Sequence, residues 1–342
     1  MGILDWFKNR AAQFDADGVS EDTVQRAAEK AIALTNPRLR VLPDCHSRLI
    51  PAVRRTVIFL TEVLRGLPPA RPISAAAWSS DAALRAFFVA PSDIPAMLGR
   101  SQNLRTVFAK FPELDAAYLV LGMALNEQRS LGIALQGTIV QRDVVQTSIS
   151  FSDHRAHLCS RDESRLHRLV GAQAYEFLLA EALSEIGEDR VERQELEANR
   201  ALIGARLRLL RQQGPGLGSM FDAGLPGNSE QATLEAKLVE NEQQLAAIGG
   251  GESALEAELD CLIQVLDNPQ RYLRVEQREL RLNTMNVVVG ADDSGPVADV
   301  RFSLAELAGS SPRRRAFVLF HVARSELPTV QGIDFDLAAR CL

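Results

Sequence analysis

The sequence predicts an α+β protein, mostly helical: a helical N-terminal domain, then an antiparallel sheet carrying an inserted antiparallel coiled-coil hairpin. Three observations carry that expectation. Residues 20–127 show helical periodicity without an alternating run. Residues 132–160 and 273–325 are rich in alternating, β-branched sequence. Between them, residues 188–248 hold two apolar stripes stepping by four and three, the rhythm of a coiled-coil seam.

Ser20 is placed to cap a helix over 21–34, which Asn36-Pro37 ends. A second helix is expected over 44–65, with Leu49, Val53, Val57, Leu60 and Leu64 on one stripe and Pro51 in its early part. Gly66 and Pro68-Pro69 stop it. Short helices are expected around 75–78, 81–88, 92–99 and 103–108, and a longer one from Pro112 to about Glu127. After Arg129 the pattern becomes that of strands, with hairpin turns expected near 141–143 or 152–153. Helix returns over 162–186, followed by the two arms, which Gly249-Gly250-Gly251 ends. A further helix aligns Leu255, Leu259, Leu262 and Leu266. Strands are expected over 280–289, 297–304 and 316–322, with a turn over 290–296. The domains expected are 1–129 and 130–342, the second holding a helical insertion over 161–270.

The first arm carries Leu196, Arg200, Ile203, Leu207 and Leu210, and the second Leu234, Leu238, Asn241, Leu245 and Ile248. Folded antiparallel, Leu210 meets Leu234, Leu207 meets Leu238, Ile203 meets Asn241 and Leu196 meets Ile248. The basic half of the first arm then lies beside the acidic second arm. Polar Arg200 and Asn241 in the seam cost stability and fix register. The same stripes could instead pair with a second protomer, so a homodimer competes with the intramolecular hairpin. The glycine-rich stretch 214–229 is longer than a helix–helix connection needs, yet holds Leu217, Met220, Phe221 and Leu225. Those four are the candidate partner-binding residues, against the plainer role of capping the helix ends.

Composition narrows the function classes. Apolar content of 46%, charged content of 24% and a net charge of −6 describe an ordinary globular chain, without the basic surplus of a nucleic-acid binder. Four scattered cysteines lack CxxC spacing, which argues against a zinc ribbon or a disulfide framework. Residues 1–10 lack the apolar core of a signal peptide. Ile3, Leu4, Trp6 and Phe7 suit a terminal helix packed on its own domain better than an interfacial anchor. The longest apolar run, 118–125, is too short to span a bilayer, so no stable membrane insertion is expected and the cytoplasm is the expected location.

Catalytic and ligand motifs are weak. His154, His157 and Cys159 form the densest group of metal-ligand types and define the alternative reading, a metal-binding protein or metal-dependent enzyme. HExxH and GxSxG are absent. Cys45-His46 is a poor nucleophile–base pair because adjacent helical residues point in different directions. Arg313-Arg314-Arg315 could grip a phosphate and define a second alternative, an anionic-ligand sensor. The leading expectation is a non-enzymatic interaction or scaffold protein with a protein partner, no nucleic acid and no cofactor.

Overall fold

The computed structural model describes residues 19–136, 139–213, 227–248, 252–290, 296–309 and 312–328. The elements run α1 (Glu21–Thr35), α2 (Cys45–Arg65), β1 (Arg71–Pro72), α3 (Ala82–Phe87), α4 (Asp93–Arg100), α5 (Gln102–Lys110), β2 (Ala116–Gln136) and β3 (Ile139–Ser160). They continue with α6 (Glu163–Gln213), α7 (Gly227–Ile248), α8 (Glu252–Asp267), α9 (Pro269–Tyr272), β4 (Leu273–Asn283), β5 (Val297–Leu307) and β6 (Arg313–Ala323). The α+β class is therefore as expected. The expected break at 249–251, most of the turn at 290–296 and residues 1–10 lie outside the described residues.

Packing divides the described chain into two units: residues 59–175 with 270–328, and residues 19–58 with 176–269. The first unit holds the sheet, in the order β3-β2-β6-β5-β4, antiparallel throughout, with β1 pairing parallel to β6. Its edges are bridged by the segment after β4. Ile149 N–H donates to Asn286 O (2.8 Å) and Val288 N–H to Thr147 O (2.8 Å), while Val289 N–H donates to Arg281 O (3.0 Å). The sheet thus curls until β3 and β4 share this short connecting segment.

Alternate residues fill the concave face: Leu119, Leu121 and Met123 of β2, Ile149 and Phe151 of β3, Val300 and Phe302 of β5, Val318 and Phe320 of β6. Helices α3, α4 and α5 cover it with Phe87, Ile94, Leu98 and Leu104. Phe151 sits edge-on to Phe87 (5.0 Å between centroids) and to Phe302 (5.3 Å), each pair contributing about 0.5–1.5 kcal/mol beyond its burial. A smaller cluster on the other face joins Val120 and Leu319 to Leu67 and to Leu166 at the start of α6.

Three sequence expectations are corrected. Residues 112–127 are not a helix; β2 begins at Ala116. This part of β2 is buried on both faces, with Leu119 and Leu121 inward and Val120 outward. A strand covered on both sides reads as a continuous apolar run, which periodicity cannot separate from a buried helix. The turns expected at 141–143 and 152–153 are also absent, because β3 runs unbroken through both. Asp143 and Asp153 adopt positive φ (59° and 50°) where the β2–β3 register shifts. They are β-bulges, and the turn-forming chemistry of aspartate serves a bulge equally well. The helix expected over 162–186 and the first arm form a single helix of 51 residues, through Gly187.

In the second unit α1, α2 and α8 lie close to their expected boundaries. Ser20 Oγ accepts the Thr23 N–H at the start of α1 (3.3 Å). Val24, Ala28 and Ile32 of α1, Leu49 and Val53 of α2, Leu178 and Ala182 of α6, and Leu259, Leu262 and Leu266 of α8 are buried. Polar ties join these helices. Buried Thr56 donates its hydroxyl to Leu266 O, Arg48 reaches Glu256 and Asp260 (both 2.6 Å), and Lys30 meets Glu176 (2.7 Å). No helix among the described residues is long and apolar enough to cross a membrane.

Candidate functional site

The hairpin expected over 188–248 falls on the second half of α6 and on α7. Capped by Asp162, whose carboxylate accepts the Arg165 N–H (2.7 Å), α6 runs about 76 Å at 1.5 Å per residue. From Glu188 to Arg206 no side chain is buried, but Leu196 and Ile203 are half-covered, and Leu207 is buried. On α7, Leu234 and Asn241 are buried and Leu238 and Leu245 half-covered. Arg193, Gly204, Ala205 and Glu235, off the stripes, are also half-covered. Arg200 is exposed and its guanidinium meets Glu242 across the two helices at 3.1 Å. In the expected register Arg200 faces Leu245, and Glu242 lies one turn before it. Asn241 Oδ1 is buried without a hydrogen-bond partner. Leu217, Met220, Phe221 and Leu225 lie outside the described residues.

The candidate metal residues have separate partners. His154 is half-buried, stacks on Phe88 (4.6 Å between centroids) and donates through Nε2 to Phe87 O (2.8 Å). Burial lowers its pKa. His157 lies against Gly122, where a Cβ would approach its Cδ2 to 3.1 Å; burial, then Arg315 and Arg155, lower its pKa. Cys159 packs on the concave-face core near Ser101 Oγ (3.9 Å), and burial raises its thiol to about 11. An ordinary strand would put His157 and Cys159 on one face. The irregularity at Leu158, with φ 25°, removes that relation. Among the described residues no three His, Cys, Asp or Glu side chains are grouped to hold a metal ion. His46 bonds Glu29 (2.6 Å) rather than Cys45, whose pKa burial raises.

The arginine run begins β6 and is met by the protein's own carboxylates. Arg314 pairs with Glu306 (3.1 Å) and lies 3.9 Å from Glu127, while Arg315 pairs with Asp153 (2.7 Å). Arg313 is exposed. An incoming phosphate would have to displace these partners.

Sequence reasoning missed a cleft in the first unit, about 530 Å³, at the end of the curled sheet. Phe151, Leu282 and Val300 form its floor, and Trp78, Arg85 and Met285 line it from α3's side and the turn after β4. Its turn is pre-shaped: Asn283 Oδ1 accepts the Met285 and Val287 N–H groups (2.9 and 3.0 Å), and Asn286, at φ 57°, donates to Ala86 O (3.2 Å). The lining comes from five separate stretches of chain, so no local motif announces it.

No family model matches the chain, no curated protein is similar to it in sequence, and no solved structure matches its fold.

Proposed function

We propose that this chain is a non-enzymatic interaction or scaffold protein, in which α6 and α7 pair as an antiparallel coiled-coil hairpin and the tip between them docks a protein partner. The observation that supports the reading most directly is the Arg200–Glu242 contact, set among stripe positions of which Leu196, Ile203, Leu207, Leu234, Leu238, Asn241 and Leu245 are covered. An exposed ion pair contributes little stability, roughly 0–1 kcal/mol, but it favours one register over others. A helix of 51 residues gives reach to the glycine-rich stretch that follows it, which holds Leu217, Met220, Phe221 and Leu225. Burial of those four apolar side chains in a partner would contribute roughly 1.5–3 kcal/mol each.

The test joins the hairpin to the tip. Leu207→Cys with Leu238→Cys should crosslink within one chain at high dilution. Phe221→Ser with Leu225→Ser should lose the proteins captured by the intact chain while its melting temperature stays unchanged. Crosslinks found only between chains would replace the hairpin by an oligomeric coiled coil. A fall of several degrees in the serine variant would make the tip a helix cap and remove the docking role.

A further inference from the structure

A separate site lies in the first unit, independent of the arms. The cleft beside α3 has the size of a small-molecule site, about 530 Å³ against roughly 300–1,000 Å³ for ligand pockets generally. Its floor is apolar and its rim unusually so: Val89 is 88% exposed and Met285 79% exposed, and both line it. Apolar side chains that far out of the core gain from being covered.

Charge decides what could cover them. Arg85 is the sole charged side chain, and none is acidic, among the described lining residues. Its guanidinium donates to the Ser79 carbonyl and has no carboxylate partner among the described contacts. Arg48, Arg54, Arg190, Arg278, Arg314 and Arg315 each meet a carboxylate, whereas Arg105 and Arg324, like Arg85, bond backbone carbonyls; of these three Arg85 is the one that lines the cleft. A cation left unneutralised beside an apolar trough matches a ligand with a long apolar part and one anionic head, since guanidinium pairs bidentately with carboxylate or phosphate. Of the polar side chains that line the cleft, Asn283 and Asn286 are committed to the backbone, and Thr284 and Ser150 are uncharged. The two asparagines fix the wall and leave Arg85 to read the head group.

We propose that this cleft binds a free single-chain anionic amphiphile of the fatty-carboxylate type, with Arg85 at the head and Trp78, Phe151 and Met285 along the chain.

The chain holds two tryptophans, so Trp6→Phe leaves Trp78 as the only reporter. In that background, laurate below its micelle concentration should shift Trp78 emission saturably. Dodecyltrimethylammonium, with the same tail and opposite charge, should bind at least tenfold more weakly. Arg85→Gln should remove that preference at an unchanged melting temperature. Met285→Glu, at an exposed position where folding is not at stake, should weaken laurate at least tenfold by placing a like charge at the rim. Equal binding of both amphiphiles, indifference to both variants, or no saturable shift would overturn the assignment. A membrane surface offers the same chemistry, so anionic phosphatidylglycerol vesicles form the third arm. Sedimentation with vesicles while free laurate leaves Trp78 unmoved would overturn the soluble-ligand assignment.

Discussion

Asn241→Leu should strengthen the α6–α7 pair. Asn241 is 6% exposed, and its Oδ1 is buried without a hydrogen-bond partner. Leaving such a group unsatisfied costs about 1–3 kcal/mol. Leucine removes that penalty and adds apolar burial, but it is the larger side chain, and overpacking takes back about 1 kcal/mol. The net expectation is about 2 kcal/mol in favour of the variant. Two compact units make global melting a poor reporter, because one transition need not describe both. Amide hydrogen exchange over 230–245 reads the local opening instead. At 1.36 kcal/mol per factor of ten, exchange there should slow by roughly 30-fold, with the sheet amides unchanged. Exchange that is unchanged or faster would refute the reasoning, since it would mean that the carboxamide's donor side stabilises the pair by more than its bare oxygen costs.

Phe151→Ala should destabilise the first unit by about 3–5 kcal/mol, because it opens a cavity and removes both edge-on contacts, to Phe87 and Phe302; urea unfolding followed by Trp78 fluorescence measures it. Stability of the same unit should also depend on pH through His154 and His157. Burial favours their neutral forms, so their folded pKa values lie below the ordinary 6.5 and the unfolded chain binds more protons. Their contribution is fully present above pH 6.5 and is lost as the pH falls from there through the folded values. The urea midpoint read by Trp78 fluorescence in a Trp6→Phe background should drop more between pH 7 and 5 with the histidines intact than in His154→Asn with His157→Asn; equal slopes would refute the assignment.

Helix boundaries were legible wherever a local signal sets them. Ser20, Asn36-Pro37 and Asn268-Pro269 mark ends that depend on one cap or one missing N–H, and the structure places breaks at all three. β5 was legible because Val300, Phe302 and Leu304 alternate with Arg301 and Ser303, whereas β6, buried on both faces at Val318, Leu319 and Phe320, was legible by the shortness of its apolar run. The start of β2 was not, since burial on both faces erases alternation. The bulges of β3 were mistaken for turns because an aspartate at positive φ is chemically the same in both settings. The site shows the same division. The stripes on α6 and α7 are periodic and could be read. The cleft depends on how a sheet edge, a turn and α3 converge, and neither Trp78 nor Arg85 carries that information in its neighbours. Gly187, between the helix expected over 162–186 and the first arm, is carried inside α6 because helix on both sides outweighs a cost of about 1 kcal/mol.

The strand order has a consequence in time. β2 lies between β3 and β6, but β6 begins at Arg313, 177 residues after β2 ends at Gln136. At roughly 5–20 residues per second, a ribosome needs about 9–35 s to deliver that partner. During this interval the β2–β3 hairpin exists with one edge open, and Leu119, Val120, Leu121 and Met123 sit along it. An open apolar edge held for seconds is the kind of segment chaperones recognise and nascent neighbours capture. Synthesis rate and chaperone supply should therefore govern the yield of this protein more than the stability of its finished sheet.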